Sequence, residues 1–469
     1  MSQTRRELIK LASATLAMAQ AMPVRAQNPP SGNISLWATF GTKRFEPGAP
    51  PVWKAARDSS ADAIVLDPAR KFQEILGFGA AFTDASCYVL NRLAAGAREQ
   101  LLKELLDPAK LGLSVFRICI GSSDYSTKAY SFDEGEPDPE MARFSIDHDR
   151  EYILPVLKQA RSIDPDLFLL ASPWSPPGWM KANGSMLGGC MHKGNFAAYA
   201  KYFVKFLQAY ATAGVPVQAV TVQNEVDTDQ DSRMPACLWG QEYETEFVAR
   251  HLGPQLAANR IGTRIWIVDH NYNLWGRAIG ELDEAEVSRY VDGVAWHGYL
   301  GEPSAMSRVH DAHPDKHAYW TEGGPDYRDP GYQTEWSRWG GTFAGVLRNW
   351  ARCVIAWNIA LDEAGKPNIG PFDCGGTVTV NSKTGEITRS GMCWALAHYS
   401  RAMKRGARRI ESSSVLPDVS HVAAINADGS YALVLTNPGA AREIAVRLAG
   451  MEARVRLEAD SISTLSWHP

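Results

Sequence analysis

At 469 residues the chain exceeds one ordinary domain, and one large barrel with a small companion accounts for it. Hydrophobic residues at 45% and charged residues at 21% exclude a disordered or fibrous chain. A net charge of −4 with no basic tract argues against a nucleic-acid partner, whose phosphates require concentrated Lys and Arg.

Residues 1–26 differ from the rest. Arg5, Arg6 and Lys10 precede or enter the weakly apolar stretch Leu8 to Met22, and Val24-Arg25-Ala26 stands before Gln27. This pattern predicts an export signal, and Thr4 to Lys10 resembles the twin-arginine type, which places the protein in a bacterial periplasm or outside the cell. Beyond it no stretch reaches the ~18 uninterrupted apolar residues of a membrane span, so no stable membrane anchor is expected. Residues 27–74 are rich in Pro, Gly and polar residues, with strand-like pieces at Ile34 to Phe40 and Ala63 to Leu66.

From residue 75 short apolar runs alternate with amphipathic stretches. Candidate strands are Leu76–Ala81, Leu113–Ile120, Leu167–Ser172, Ala219–Gln223, Ile265–Asp269, Gly293–His297, Ala318–Thr321 and Val354–Asn358. Helical periodicity separates them, as in Glu151–Ser162, Phe196–Ala211, Tyr243–Leu256 and Thr342–Ala351. Eight such alternations over residues 75–400 predict an α/β fold, a (β/α)8 TIM barrel. Over residues 401–469 short alternating strands take over, separated by turns at Asn426-Ala427-Asp428-Gly429 and Asn437-Pro438-Gly439. They predict a small β-sandwich, and the early strand-like pieces, which lack partners of their own, are expected to join it, so that both termini build one side domain. Seven cysteines show neither a C-x-x-C pair nor zinc-like spacing and read as buried thiols; no metal or cofactor is expected.

Two apolar runs end in glutamate: Ala219 to Gln223 leads into Asn224-Glu225, and His317 to Thr321 leads into Glu322. At the C-terminal ends of the fourth and seventh barrel strands both side chains project into one mouth. Paired carboxyls roughly 5 Å apart suit double displacement at a glycosidic bond, one donating a proton to the leaving oxygen and the other attacking the anomeric carbon. The amide of Asn224 could bind a sugar 2-hydroxyl beside the acid/base Glu225, whose pKa is expected to be raised by burial and the neighbouring carboxylate.

Several motifs extend this reading: Gly77-Phe78-Gly79-Ala80-Ala81-Phe82-Thr83-Asp84, Ala171 to Lys181 with Trp174 and Trp179, Gln223-Asn224-Glu225, His297-Gly298-Tyr299, Trp320-Thr321-Glu322 and Trp357-Asn358. Together, from about residue 70 to the C-terminus, they resemble glycoside hydrolase family 30, the glucosylceramidase family. The resemblance implies a retaining β-glycosidase with Glu225 as acid/base and Glu322 as nucleophile. It implies substrate contacts from Asp124, Trp174, Asn224, His297, Tyr299 and Trp357, with Arg117 close by. The expected activity is that of an exo-β-glucosidase of glucosylceramidase type on a β-glycoside in an oligosaccharide, polysaccharide or glycolipid. The alternatives are an endo-β-1,6-glucanase or another polysaccharide hydrolase of the family, and a non-catalytic carbohydrate-binding protein on the same scaffold. Val226 replaces a frequent proline after the acid/base, Gly323-Gly324 follow the nucleophile, and Asn368 to Val380 departs from the family's loop. Trp179 and Trp239 read as core, Glu242, Glu244 and Glu246 as acidic residues at a helix start, and Asp227, Asp229 and Asp231 as a solvated loop.

Overall fold

The computed structural model describes residue 30, residues 32–56 and residues 62–469. The expected export signal lies outside these residues. Among them, no helix is long and apolar enough to cross a membrane.

Eight parallel strands close into a barrel: β1 (Gly77–Phe82), β2 (Val115–Cys119), β3 (Phe168–Ser172), β4 (Ala219–Thr221), β5 (Arg264–Asn271), β6 (Val291–His297), β7 (His317–Glu322) and β8 (Ala351–Ala356). β8 pairs with β1 from Cys353 opposite Gly77 to Ala356 opposite Ala80, which completes the ring. Closure needs a bare backbone at Gly79, where a Cβ would fall 1.7 Å from the Val115 carbonyl oxygen. The barrel's lower interior is an apolar plug in which Trp266 and Tyr319 stack at 3.6 Å and cluster with Phe168, Val115 and Ile355. Burying both strand faces explains why these strands read as apolar runs rather than as alternations.

The helix Phe196–Thr212 agrees with its periodicity to one residue, burying Phe196, Tyr199, Phe203, Phe206 and Tyr210 against the barrel. Elsewhere the boundaries move. The helix expected over Tyr243–Leu256 runs through Gln241–Phe247, a π-turn at Val248–Leu252 and Gly253–Ala258. Pro254 lacks an N–H for the turn before it, and the wider π-turn absorbs that loss. The helix expected over Thr342–Ala351 spans Trp336–Arg348 instead, because Trp350 takes a left-handed φ of 77° and turns the chain into β8. β8 accordingly begins at Ala351, and Trp357 and Asn358 follow it rather than belong to it. Helical structure continues past residue 400 in Gly391–Ala402. A three-stranded sheet of Ala360–Asp362, Val378–Val380 and Ile387–Arg389, unforeseen in the sequence, braces the loop after β8.

Among the described residues the side domain holds ten strands, ordered Lys43–Pro47, Ser35–Phe40, Ser461–Trp467, Tyr431–Asn437, Ser420–Ile425, Arg408–Ser413, Ala63–Glu74, Arg442–Leu448, Met451–Leu457 and Trp53–Ala55. Ser35–Phe40 runs antiparallel to Ser461–Trp467 with Trp37 opposite Thr464, and Ala63–Glu74 lies between two strands of the C-terminal segment. Both termini therefore build it. His398 on Gly391–Ala402 ties the two ends to the barrel, with Nδ1 2.7 Å from Thr464 Oγ1 and Nε2 2.8 Å from Thr39 Oγ1. Burial holds this imidazole down at about 3, so it is neutral. The neighbouring helix Trp336–Arg348 approaches so closely that a Cβ on Gly340 would sit 2.6 Å from Thr436 Oγ1. All seven cysteines are unpaired, five of them buried.

Candidate active site

The βα loops surround a cavity of about 480 Å³ at the C-terminal mouth of the barrel. Asp124, Trp174, Asn224, Glu225, Tyr299, Glu322 and Trp357 line it. Arg117 and His297 lie beneath its floor, fully buried, and act on the carboxylates from below.

Arg117 on β2 is the hub. Its Nε donates to Ser172 Oγ at 3.1 Å, one Nη to Asn224 Oδ1 at 2.7 Å and to Asp269 Oδ2 at 2.6 Å, and the other Nη closely to Glu322 Oε2. Its guanidinium lies 4.6 Å from the Trp174 ring centre, and Trp174 stacks on Trp357 at 5.0 Å. Because Asn224 accepts through Oδ1, its amide N–H groups are left to the cavity. Burial disfavours the Arg117 charge, but Asp269 and Glu322 outweigh it and hold the pKa above its ordinary value.

Asp269, absent from the expected set, organises this floor. Its Oδ2 accepts from Arg117, Ser172 and Thr221, and its Oδ1 from Thr321 at 2.8 Å, with His297 Nε2 at 3.1 Å. Burial pushes its carboxyl up, yet Arg117 and His297 hold it well below the usual range. The pairing of β5 with β6 slips at Val268–Asp269, where φ is 72° and 46°. This bulge lets consecutive residues serve one mouth, Asp269 from below and His270 at the wall.

The two glutamates converge. Glu225 has a left-handed φ of 56°, with its N–H on the Asp269 carbonyl at 3.0 Å, a constrained backbone of the kind found at functional sites. One carboxylate oxygen of Glu225 and one of Glu322 lie within 4.8 Å of each other, with His297 Nδ1 in the same cluster. Tyr299 Oη donates to Glu322 Oε1 at 3.0 Å, and Gln230 Nε2 donates to Glu225 Oε2 at 2.6 Å. Glu225 Oε1 faces His270 Nε2 at 3.3 Å and His297 Nδ1 at 3.5 Å. The convergence is acid–base in character, because Arg117 and the imidazoles already supply the positive charge that balances the carboxylates.

The expected upward shift of Glu225 is reversed. Burial does push it up, but His270 and His297 outweigh burial and hold the carboxyl below its usual range. The neighbouring imidazole moves the other way: His270 is disfavoured as a cation by burial, yet Asp227 and Glu225 raise it to about 9. Asp124 behaves in the opposite way, raised well above the carboxylate range by burial and then by the charges of Glu322 and Glu225. The loop after β8 pins it from above, with the Ile369 N–H on the Asp124 carbonyl at 2.8 Å, and a Cβ on Gly370 would meet the Asp124 Cβ at 2.5 Å.

Trp239 stacks in the core on Phe196, and Trp179 donates to the Asp133 carbonyl outside the cavity. Two plainer readings need correction. Asp227 is not merely solvated but pairs with His270 Nδ1. Glu244 is fully buried, accepting from the Val268 N–H at 3.0 Å and from Arg277, so it props the β5 bulge rather than simply facing a helix dipole. The polar triplet Asp269-His270-Asn271 at the end of a predicted barrel strand was the available signal for the missed site residues.

Residues 75–403 match the glycosyl hydrolase family 30 TIM-barrel domain, and residues 406–465 match the glycosyl hydrolase family 30 beta sandwich domain. The chain is 33% identical to an endo-1,6-beta-D-glucanase of Neurospora crassa, over 83% of each chain. It is 30% identical to putative glucosylceramidase 1 of Caenorhabditis elegans, over 80% of this chain and 76% of the relative. The solved structure of the endo-beta1,6-glucanase BT3312 superimposes with a TM-score of 0.86 at 29% identity, covering 93% of this chain and 99% of that one. With its barrel and its sandwich both matched, the chain belongs to glycosyl hydrolase family 30 and is a glycosidase that hydrolyses O-glycosyl bonds.

Proposed function

We propose that the protein is a retaining endo-β-1,6-glucanase. The reaction class rests on the carboxylate pair, whose nearest oxygens lie within 4.8 Å, too close to admit the water of an inverting mechanism. Glu322, oriented by Arg117 and Tyr299, attacks the anomeric carbon from one face while Glu225 protonates the departing oxygen. Glu225 then takes a proton from the water that releases the sugar from Glu322. Asp124, Trp174, Asn224 and Trp357 hold the glycone, Asn224 through its free amide. The substrate rests on relatives: the Neurospora crassa enzyme at 33% identity and BT3312 are both named for β-1,6-glucan, and putative glucosylceramidase 1 stands lower at 30%. Outside the carboxylates, Tyr299 and Phe372 keep 49% and 40% of their surface exposed, which leaves aromatic faces for further sugar rings of a polymer. An exported enzyme suits such a substrate.

Incubation with β-1,6-glucan, glucosylceramide, xylan and aryl β-glycosides tests this reading. Rapid shortening of β-1,6-glucan into mixed oligosaccharides is expected; glucose alone, or turnover confined to glucosylceramide, restores the exo-β-glucosidase. Glu225→Gln should lose about 10²–10⁴ in kcat on glycosides with poor leaving groups and little in the first step with 2,4-dinitrophenyl leaving groups. A uniform loss across leaving groups removes Glu225 from the proton-donor role.

A further inference from the structure

Glu225 does not stand alone. On one side its Oε1 meets His270 Nε2 at 3.3 Å, and the other ring nitrogen of His270 closes on a carboxylate oxygen of Asp227. On the other, Oε2 is fixed by the Gln230 amide at 2.6 Å. His270 is 7% exposed at the end of β5, and Asp227 leaves the same loop as Glu225, two residues on. The order is carboxylate, imidazole, carboxylate, with the solvent-facing member, Asp227, 39% exposed at its side chain.

We infer that His270, backed by Asp227, is a positioning residue that stores the catalytic proton for Glu225 and passes it through the Nε2 contact. This rests on Glu225 being the acid/base. Before reaction the proton is on His270 and Glu225 is ionised. In the first half-reaction the His270 Nε2 proton moves to the Glu225 carboxylate and the carboxyl proton to the glycosidic oxygen. The bond from anomeric carbon to oxygen breaks with its electron pair going to that oxygen, and Glu322 forms its bond to the carbon. His270 is then neutral and keeps its Nδ1 proton toward Asp227. In the second half-reaction water attacks the anomeric carbon, the bond to Glu322 breaks, and the water proton travels through Glu225 back to His270 Nε2. Both charges and protons return to their starting places.

The arrangement resolves a difficulty of the site. A carboxyl flanked by two imidazoles is a poor store of a proton at rest, since the imidazoles hold it more firmly. The groups facing His270 are Glu225 and Asp227 from the loop after β4, and His297 from β6, whose ring centre is 5.7 Å away. Asp269 stands behind His297, Arg277 acts on Asp227, and Glu322 and Asp124 lie across the cavity. Among the described residues, Glu225 and Asp227 are the ion-pair partners of the two ring nitrogens, which gives the proton one route in and one anchor.

The test compares His270→Asn, Asp227→Asn and Glu225→Gln with the parent enzyme on aryl β-glycosides of graded leaving-group acidity, each over a full pH range. For His270→Asn, kcat/KM is expected to fall about 10–100-fold on poor leaving groups and to change little on 2,4-dinitrophenyl substrates. Its basic limb should move to lower pH. Asp227→Asn, at a partly exposed position that tolerates the change, should move the basic limb the same way with a smaller loss. If Glu225→Gln shows the leaving-group dependence and both other variants leave the basic limb and that dependence unmoved, the inference is wrong while the acid/base assignment stands. If Glu225→Gln lacks the dependence, the assignment itself fails and the inference with it.

Discussion

Glu322→Gln is expected to fold and to lose about five to six orders of magnitude in kcat on an aryl β-glycoside, the scale reached when a covalent nucleophile is removed. The amide is isosteric and can still accept from Tyr299, which donates to Glu322 Oε1 at 3.0 Å. What it cannot do is carry negative charge to the anomeric carbon. Nor can it hold a glycosyl group as an ester, so neither half of the double displacement remains. Arg117 keeps Asp269 as a counter-charge, which limits the structural damage. Steady-state rates, thermal melting and mass spectrometry of enzyme trapped with a slow-leaving substrate check this together. A folded variant retaining more than about a hundredth of parental kcat would remove Glu322 from the nucleophile role.

Arg117→Met should cost about 3–5 kcal/mol of stability, the penalty for leaving buried carboxylates without their partner. Arg117 is fully buried and is ion-paired with both Asp269 and Glu322. Methionine fills much of the guanidinium's place beside the stacked Trp174 and Trp357 but returns no charge. The effect has a sign in pH. With Arg117 present Asp269 is held below its ordinary value of 3.8, so its contribution is present above that pH and is lost as pH falls through the depressed folded value. Without Arg117, burial is opposed only by His297 and the hydroxyl donors, so the folded value rises from its depressed position, and the deficit should be greatest near neutrality and shrink on acidification as Asp269 takes a proton. Urea midpoints of parent and variant between pH 4 and 8 measure this. A deficit below about 1 kcal/mol at pH 7 contradicts the hub role. Arg117→Lys should fall between the two, since a point charge cannot serve Ser172, Asn224, Asp269 and Glu322 together.

The barrel was legible because each strand is a short run buried on both faces, a pattern that survives without knowledge of the neighbours. Glu225 and Glu322 were legible for a related reason: a charged residue closing such a run has to face the mouth. Asp269 and His270 close a run as well, yet they looked like strand and loop, because the bulge at Val268–Asp269 is set by pairing with β6 rather than by local sequence. Asp227 was misread for the same cause, its partner being 43 positions away in the chain (270 − 227) and visible only once β5 stands beside the loop after β4. The proton affinity of Glu225 went wrong in direction, since one neighbouring carboxylate was counted and two imidazoles were not. Helix ends such as Arg348 depended on a single left-handed residue, Trp350, which composition does not mark.

The shared sheet of the side domain has a consequence for the order in which the chain can be made. Ser35–Phe40 pairs locally with Lys43–Pro47, but its other edge is covered by Ser461–Trp467, far later in the chain, and Ala63–Glu74 waits for strands on either side that begin at Arg408 and Arg442. A nascent chain therefore carries unpaired strand edges ahead of the barrel until the strands that follow the barrel have been made, and a fragment stopped after the barrel would keep those edges open to other chains. Separating the barrel from its companion thus requires cutting on both sides of the barrel, not one.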